Sequence, residues 1–261
     1  MRFAVALCFL VAFCTIDANS ASDDLEIWRL QVRNAKWTVD GIIRQLQDLR
    51  SQAEEDALLK VTEQWDGELE SYRSFKNTLL NGIKKDINAA TAAGKDVKAC
   101  NKEAQDGIKQ NEDAAYEDAT KCSNIAENSI QNTLGFIDNL ILTGNALSSE
   151  LDSIFLTCHD SDIIKMQNCI ITELARVNAD IKALQSDANS AEITVVHVSN
   201  NVVLQATNCL KNAYSSVYST GVRIKMRIAQ CIEDASEPTT ITTKVTTEAT
   251  TKATTKKPTK F

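Results

Sequence analysis

The residues best equipped for chemistry in this 261-residue chain are its cysteines. Cys8 and Cys14 fall in an apolar N-terminal run, and Cys100, Cys122, Cys158, Cys169, Cys209 and Cys231 follow in the rest of the chain. None forms a Cys-x-x-Cys pair, so neither a zinc ribbon nor a thioredoxin-type redox site is supported. The two histidines offer little more. His159 stands beside Asp160 and Asp162, residue types that bind metal but far more often cap a helix. His197 lies within an apolar helical stripe, and the neighbouring Ser199 does not make a triad. There is no nucleophile elbow, glycine-rich phosphate loop, HExxH or EF-hand loop. No catalytic, cofactor-binding or metal-binding residues are assigned, no cofactor is expected, and the chain reads as a non-enzyme.

The start of the chain sets the chemistry expected of the cysteines. Arg2 followed by the unbroken apolar run Phe3 to Phe13 has the form of a secretory signal peptide, with small residues after it. Cleavage after Ala18 fits best, giving residues 1–18 as the leader, and Cys14 and Ser20 are alternative positions. Each removes Cys8 and Cys14. An even set of six cysteines in an oxidising compartment then reads as three disulfides in a secreted, extracellular protein. No later stretch is apolar enough to span a membrane.

The elements that must position these cysteines are helices. Proline is absent from Met1 to Glu237, and the chain has only eight glycines. Trp28, Val32, Ala35, Val39, Ile42, Leu46, Leu49 and Ala53 recur by four and three. Ile170, Leu174, Val177, Ile181, Leu184, Ala188, Ala191, Val195, Val198 and Val202 do the same, the pattern of long, nearly parallel coiled-coil seams. The stretch Asn101 to Thr120 is polar and alanine-rich and carries the weakest signal. Ala92-Ala93-Gly94 can end one helix, and His159-Asp160-Ser161-Asp162 can end another and cap the next. The spacing predicts helices near 24–92, 96–157 and 161–234, with Gly41, Gly67, Gly144 and Gly221 as candidate interruptions. The fold class is all-α, an elongated antiparallel bundle of long helices stapled by disulfides.

Facing residues of an antiparallel hairpin have nearly constant index sums. Cys100 with Cys231 and Cys122 with Cys209 both give 331, and Cys158 with Cys169 gives 327. All three place the turn near 160–165. The rival pairing, Cys100 with Cys122 and Cys209 with Cys231, joins residues about 33 Å apart in unbroken helices and needs a turn midway in each. The third pair favours the nested set Cys100–Cys231, Cys122–Cys209 and Cys158–Cys169. Such staples oppose the opening of a bundle onto a lipid droplet.

Composition changes at Pro238. Residues 19–237 form the helical domain, with 22 basic against 33 acidic residues, which argues against nucleic acid as a partner. Residues 238–261 form a disordered tail in which 11 of 24 residues are threonine. Thr239, Thr240, Thr242, Thr243, Thr246, Thr247, Thr250, Thr251, Thr254 and Thr255 are its candidate O-glycosylation sites. No Asn-x-Ser/Thr sequon is present.

The leader, the proline-poor body, the layout of Cys100, Cys122, Cys158, Cys169, Cys209 and Cys231, and the low-complexity tail together resemble the insect TsetseEP-domain family. The resemblance covers roughly Asp23 to Glu237. It implies a secreted insect protein, often of the gut, linked to defence against microbes or parasites, and it carries over no site residues. The family's naming member has a Glu-Pro tail where this chain has Thr-Thr-Lys repeats. The expected function is a non-enzymatic interaction or structural protein of an extracellular lumen with a mucin-like tail. Its partner would be an extracellular protein, a glycan or a microbial surface. The alternative is a carrier of a small apolar ligand or lipid within the bundle.

Overall fold

The computed structural model describes residues 21–235, with the backbone alone for 21–24. The leader with Cys8 and Cys14 and the threonine-rich tail lie outside these residues. Helix α1 spans Ala21–Ala92, α2 Lys98–Thr133, α3 Gly135–Thr157 and α4 Ile163–Asp234. There is no strand among the described residues.

The predicted ends hold at both turns. Gly94 takes φ 82°, the Lys95 amide reaches back to the Ala90 carbonyl and the Gly94 amide to that of Thr91. This is a Schellman ending, which glycine enters without steric penalty. At the other turn Asp162 Oδ1 accepts the amides of Ile164 (3.0 Å) and Lys165 (3.4 Å), capping α4. Asp160 Oδ1 accepts the Asp162 amide at 2.8 Å and shapes the turn itself.

The chain forms two compact units. In the first, built from residues up to 70 and from 115–214, the middle column is α2 followed by α3. It runs antiparallel to α1, as the pairs Lys36–Asp152 and Arg50–Asp138 (2.8 Å) show. It also runs antiparallel to α4, through Glu150–Arg176 (2.7 Å). α1 and α4 run parallel, with Trp65 Nε1 donating to Tyr214 Oη at 3.0 Å. The second unit joins residues 71–114 to those from 215 on. Lys76–Glu112 (2.7 Å) and Glu103–Arg227 (2.6 Å) mark its registers, and Phe75 packs edge-on against Tyr218. Its core is aliphatic, with Leu79, Ile83, Ile87, Val97, Ile108, Ile224 and Ile228 buried together.

The long helix expected over 96–157 is interrupted once, at the buried Leu134 that separates α2 from α3. The suggested glycine sites do not break: Gly41 and Gly67 lie inside α1, Gly144 inside α3 and Gly221 inside α4. The physical reason is a change of period. α3 and its capping residue Cys158 bury Ile137, Gly144, Leu151 and Cys158 at seven-residue spacing. α2 with the preceding Val97 instead buries Val97, Cys100 and Ala104, then Ile108, Asn111 and Ala115, then Ala119, Cys122 and Ala126, a repeat of eleven.

α4 follows suit, with heptads from Ile170 to Val195 and then Val202, Ala206, Leu210, Ala213, Val217, Ile224 and Ile228 on the longer repeat. α1 changes near Ala53, after which Val61, Tyr72 and Ile83 stand eleven apart. Seven-residue and eleven-residue repeats drift in opposite senses about a 3.6-residue helix. The middle column meets that reversal with a break beside Gly135, while α1 and α4 continue through it.

Candidate functional site

The sulfur chemistry is assembled as the nested register anticipates. Cys100 and Cys231 are disulfide-bonded with Cα atoms 5.8 Å apart, Cys122 and Cys209 with 5.7 Å, and Cys158 and Cys169 with 5.5 Å. The first bond lies within the second unit and the other two within the first. Cys100, Asn111 and Cys122 are spaced by eleven along the buried stripe of α2, and Cys209 and Cys231 by 22 along α4. Residues 22 apart share a helix face when the buried stripe repeats every eleven, so one repeat accommodates both bonds.

Asn111, 7 % exposed, is the buried polar side chain of that stripe, and its Nδ2 donates to the Val217 carbonyl at 2.9 Å. All three bonds join the α2–α3 column to α4. α1 carries no cysteine and is held by packing, by ion pairs and by the connection through Gly94.

The other residues singled out by sequence do not converge. His159 is exposed beside the capping aspartates, and His197 is exposed on α4. Ser199 Oγ is buried with no protein partner, and His197 makes no bond to it. Among the described residues no three His, Cys, Asp or Glu side chains gather as a metal site. A shallow depression lined by Ser51, Glu54, Glu55, Leu58, Leu59 and Thr62 follows a single face of α1 and is open to solvent. No helix among the described residues is long and apolar enough to cross a membrane.

Sequence reasoning missed the exposed aliphatic residues at one end of the first unit. Leu156 is 82 % exposed and Ile164 70 %, and Ile163 and Ile171 are also exposed. These four flank the turn closed by Cys158–Cys169. Counting back along α1 from Lys36, opposite Asp152, brings the exposed Leu30 and Ile27 to the same level. Six exposed aliphatic side chains therefore lie at this level, beside the half-buried Trp28 and Phe155. The charges interspersed among them are mixed, with Glu26 paired to Arg29 at 2.6 Å and Lys165 beside Asp162. One layer further in, Arg176 gathers Glu150, Glu173 and Asp180, with the hydrogen bond to Glu150 foremost in pushing its pKa further up.

Trp37 belongs to the same outer face of α1. It is 63 % exposed and lies under the Arg33 guanidinium, 5.6 Å from the ring centroid. Its off-seam position was legible from spacing. The apolar end was not, because Leu156, Ile163 and Ile164 flank a turn where helical periodicity stops.

No family model matches the chain, and neither a curated protein nor a solved structure matches it.

Proposed function

We propose that this chain is a secreted, non-enzymatic interaction protein of an extracellular lumen. Its helical body presents surface, and residues 238–261 form an O-glycosylated, mucin-like extension. The observation that carries the reading is the set of three bonded cysteine pairs, since such bonds persist in oxidising compartments. The leader-like N-terminus and the resemblance to the TsetseEP-domain family support the same compartment. The resemblance adds insect origin and a place in gut defence. Exposed aromatic and aliphatic side chains, Trp37 and Leu156 foremost, supply the surface by which such a protein would hold a protein, glycan or microbial partner. Expression behind its own leader, followed by intact mass and peptide mapping of the medium, tests the reading. Expected are a chain beginning at Asn19, three intramolecular disulfides and added hexosamine on the tail. A chain retained in the cell sinks the secreted reading, and an unmodified mass removes the mucin-like part.

A second reading, a carrier of an apolar ligand or lipid, is favoured by one observation: the disulfides leave α1 unlinked. Native mass spectrometry of the gently purified protein tests it, with a co-purifying lipid as the expected result and a ligand-free chain as the opposing one.

A further inference from the structure

We propose that the outer face of α4 around residues 193–204, within the first unit, is an interface between two copies of this chain. The two helices pack antiparallel about a two-fold axis level with His197 and Asn200. This dimer is independent of both readings above.

The charge pattern singles out this strip. The 18 residues from Ile193 to Leu210 contain no Asp, Glu, Lys or Arg, and the next longest such runs among the described residues have 11. The helical domain carries 33 acidic against 22 basic residues, so two copies repel one another on average. Along this strip α4 adds nothing to that repulsion. Glu192, at its edge, is turned toward α1, where its Oε1 accepts from Gln45 Nε2 at 2.8 Å. Three aliphatic side chains stand in the strip, Ile193 at 66 % exposed, Val196 at 57 % and Leu204 at 59 %. At about 100° per residue, Ile193 and Leu204 lie on the side of α4 opposite the buried Val195, Val202 and Ala206. They form an outward seam of their own.

The strip is also complementary to itself, which selects a second copy as the occupant. Across an antiparallel two-fold pair of helices, facing residues have a constant index sum. With that sum at 397, Ile193 meets Leu204 of the second copy, His197 meets Asn200, and Ser190 meets Thr207. Aliphatic faces aliphatic, and hydrogen-bonding groups face one another. Lys211, the next charge along the strip, meets the uncharged Ser186. A parallel pair would instead set Lys211 on Lys211. Slippage from the antiparallel register would bury His197 or Asn200 against an aliphatic side chain, which costs an unmade hydrogen bond. A lipid surface is disfavoured because His197 and Asn200 would enter hydrocarbon beside Ile193 and Leu204. From Ser186 to Lys211 the strip is about 38 Å long and one helix wide. It is smaller than a standard interface, so the dimer is weak, with a Kd on the order of 10–100 μM.

Sedimentation equilibrium of the full chain with its disulfides intact tests the proposal. The expected result is a monomer–dimer equilibrium that I193S/L204S weakens by at least about tenfold, with circular dichroism unchanged. L156S/I164S, at the other exposed aliphatic cluster, leaves it as it is. Higher salt leaves the dimer as strong or stronger, because only the acidic repulsion is screened. Register is read with added cysteines. A mixture of I193C and L204C chains is expected to oxidise to a linked heterodimer, and neither variant alone to link. Like positions lie about 16 Å apart along the paired helices, too far to bond. If the serine pair does not fold, His197→Lys decides. It sets two charges at the centre of the interface from an exposed position, and abolition of the dimer is expected. A monomer at every concentration up to about 1 mM overturns the proposal. So does a dimer that survives I193S/L204S or His197→Lys, that salt weakens, or that I193C alone links. A monomer that co-floats with phosphatidylcholine vesicles, and loses this with I193S/L204S, assigns the face to lipid and overturns it as well.

Discussion

Gly144 of α3 lies so close to Ile43 of α1 that a Cβ there would stand 2.7 Å from Ile43 Cγ1 and 3.4 Å from Leu184 of α4. α1, α3 and α4 meet at this glycine. Gly144→Ala is expected to destabilise the protein by about 1–2 kcal/mol, because overpacking outweighs the gain in helix propensity. A methyl on Gly41, in α1, would meet nothing within 4 Å. Gly41→Ala should therefore stabilise by about 0.5–1 kcal/mol. Urea midpoints of the two variants at unchanged slope check both signs, and a Gly144→Ala midpoint at or above wild type sinks the close-contact account.

The nested disulfides differ in what they restrain. With Cys122–Cys209 intact, Cys100–Cys231 closes two arms of 22 residues, which by loop entropy contributes about 4 kcal/mol. The 11-residue separation of Cys158–Cys169 gives about 3 kcal/mol on the same basis. C100S/C231S is thus expected to unfold at lower urea than C158S/C169S. The reverse order would mean that the two 22-residue arms stay structured in the unfolded chain, so that Cys100–Cys231 restrains less than its loop length implies.

Much of this arrangement could be read from the sequence. Alternation from Val32 to Leu46 and from Ile170 to Val195 marks two seams, because large aliphatic residues at seven-residue spacing have no other common cause. The index sums of the cysteines locate the hairpin register for the same geometric reason. The buried face of α2 was harder to see. Between Cys100, Ile108, Cys122 and Ile130 it is made of Ala104, Asn111, Ala115, Ala119 and Ala126, small or polar residues that hydropathy does not distinguish from a solvated face. Its eleven-residue repeat is also invisible to a search for heptads. The break at Leu134 follows from that hidden change of period, so glycine positions alone pointed to the wrong places.

Lys95 tests a different kind of joint. Its Nζ donates to the carbonyls of Ile232 at 2.8 Å and Glu233 at 3.1 Å, meeting unsatisfied acceptors at the end of α4. Lys95→Met retains most of the aliphatic stem and removes the donor. It should lower stability by about 0.5–1 kcal/mol. Amide exchange is expected to quicken in the last turn of α4 and to stay unchanged around Cys122. Uniform quickening would show that the contact acts globally instead of capping one helix.

Asn111 sits midway between two disulfides on α2, and its amide donates to a carbonyl on α4. In Asn111→Asp the side chain has the same shape but, once ionised, only acceptors, facing the Val217 carbonyl in a buried seam. The new carboxyl is neutral in the folded protein up to a higher pH than in the unfolded chain, so its folded pKa is raised. Ionisation then favours the unfolded state, and stability relative to wild type falls as pH rises above the unfolded carboxylate pKa of about 4. The variant should unfold within about 1 kcal/mol of wild type near pH 3.5, where the protonated acid can donate to Val217. At pH 7 the deficit should exceed about 2 kcal/mol. Paired urea titrations at the two pH values measure it, and a pH-independent difference would mean that the side chain reaches solvent and that Asn111 does not fix the register of α2 against α4.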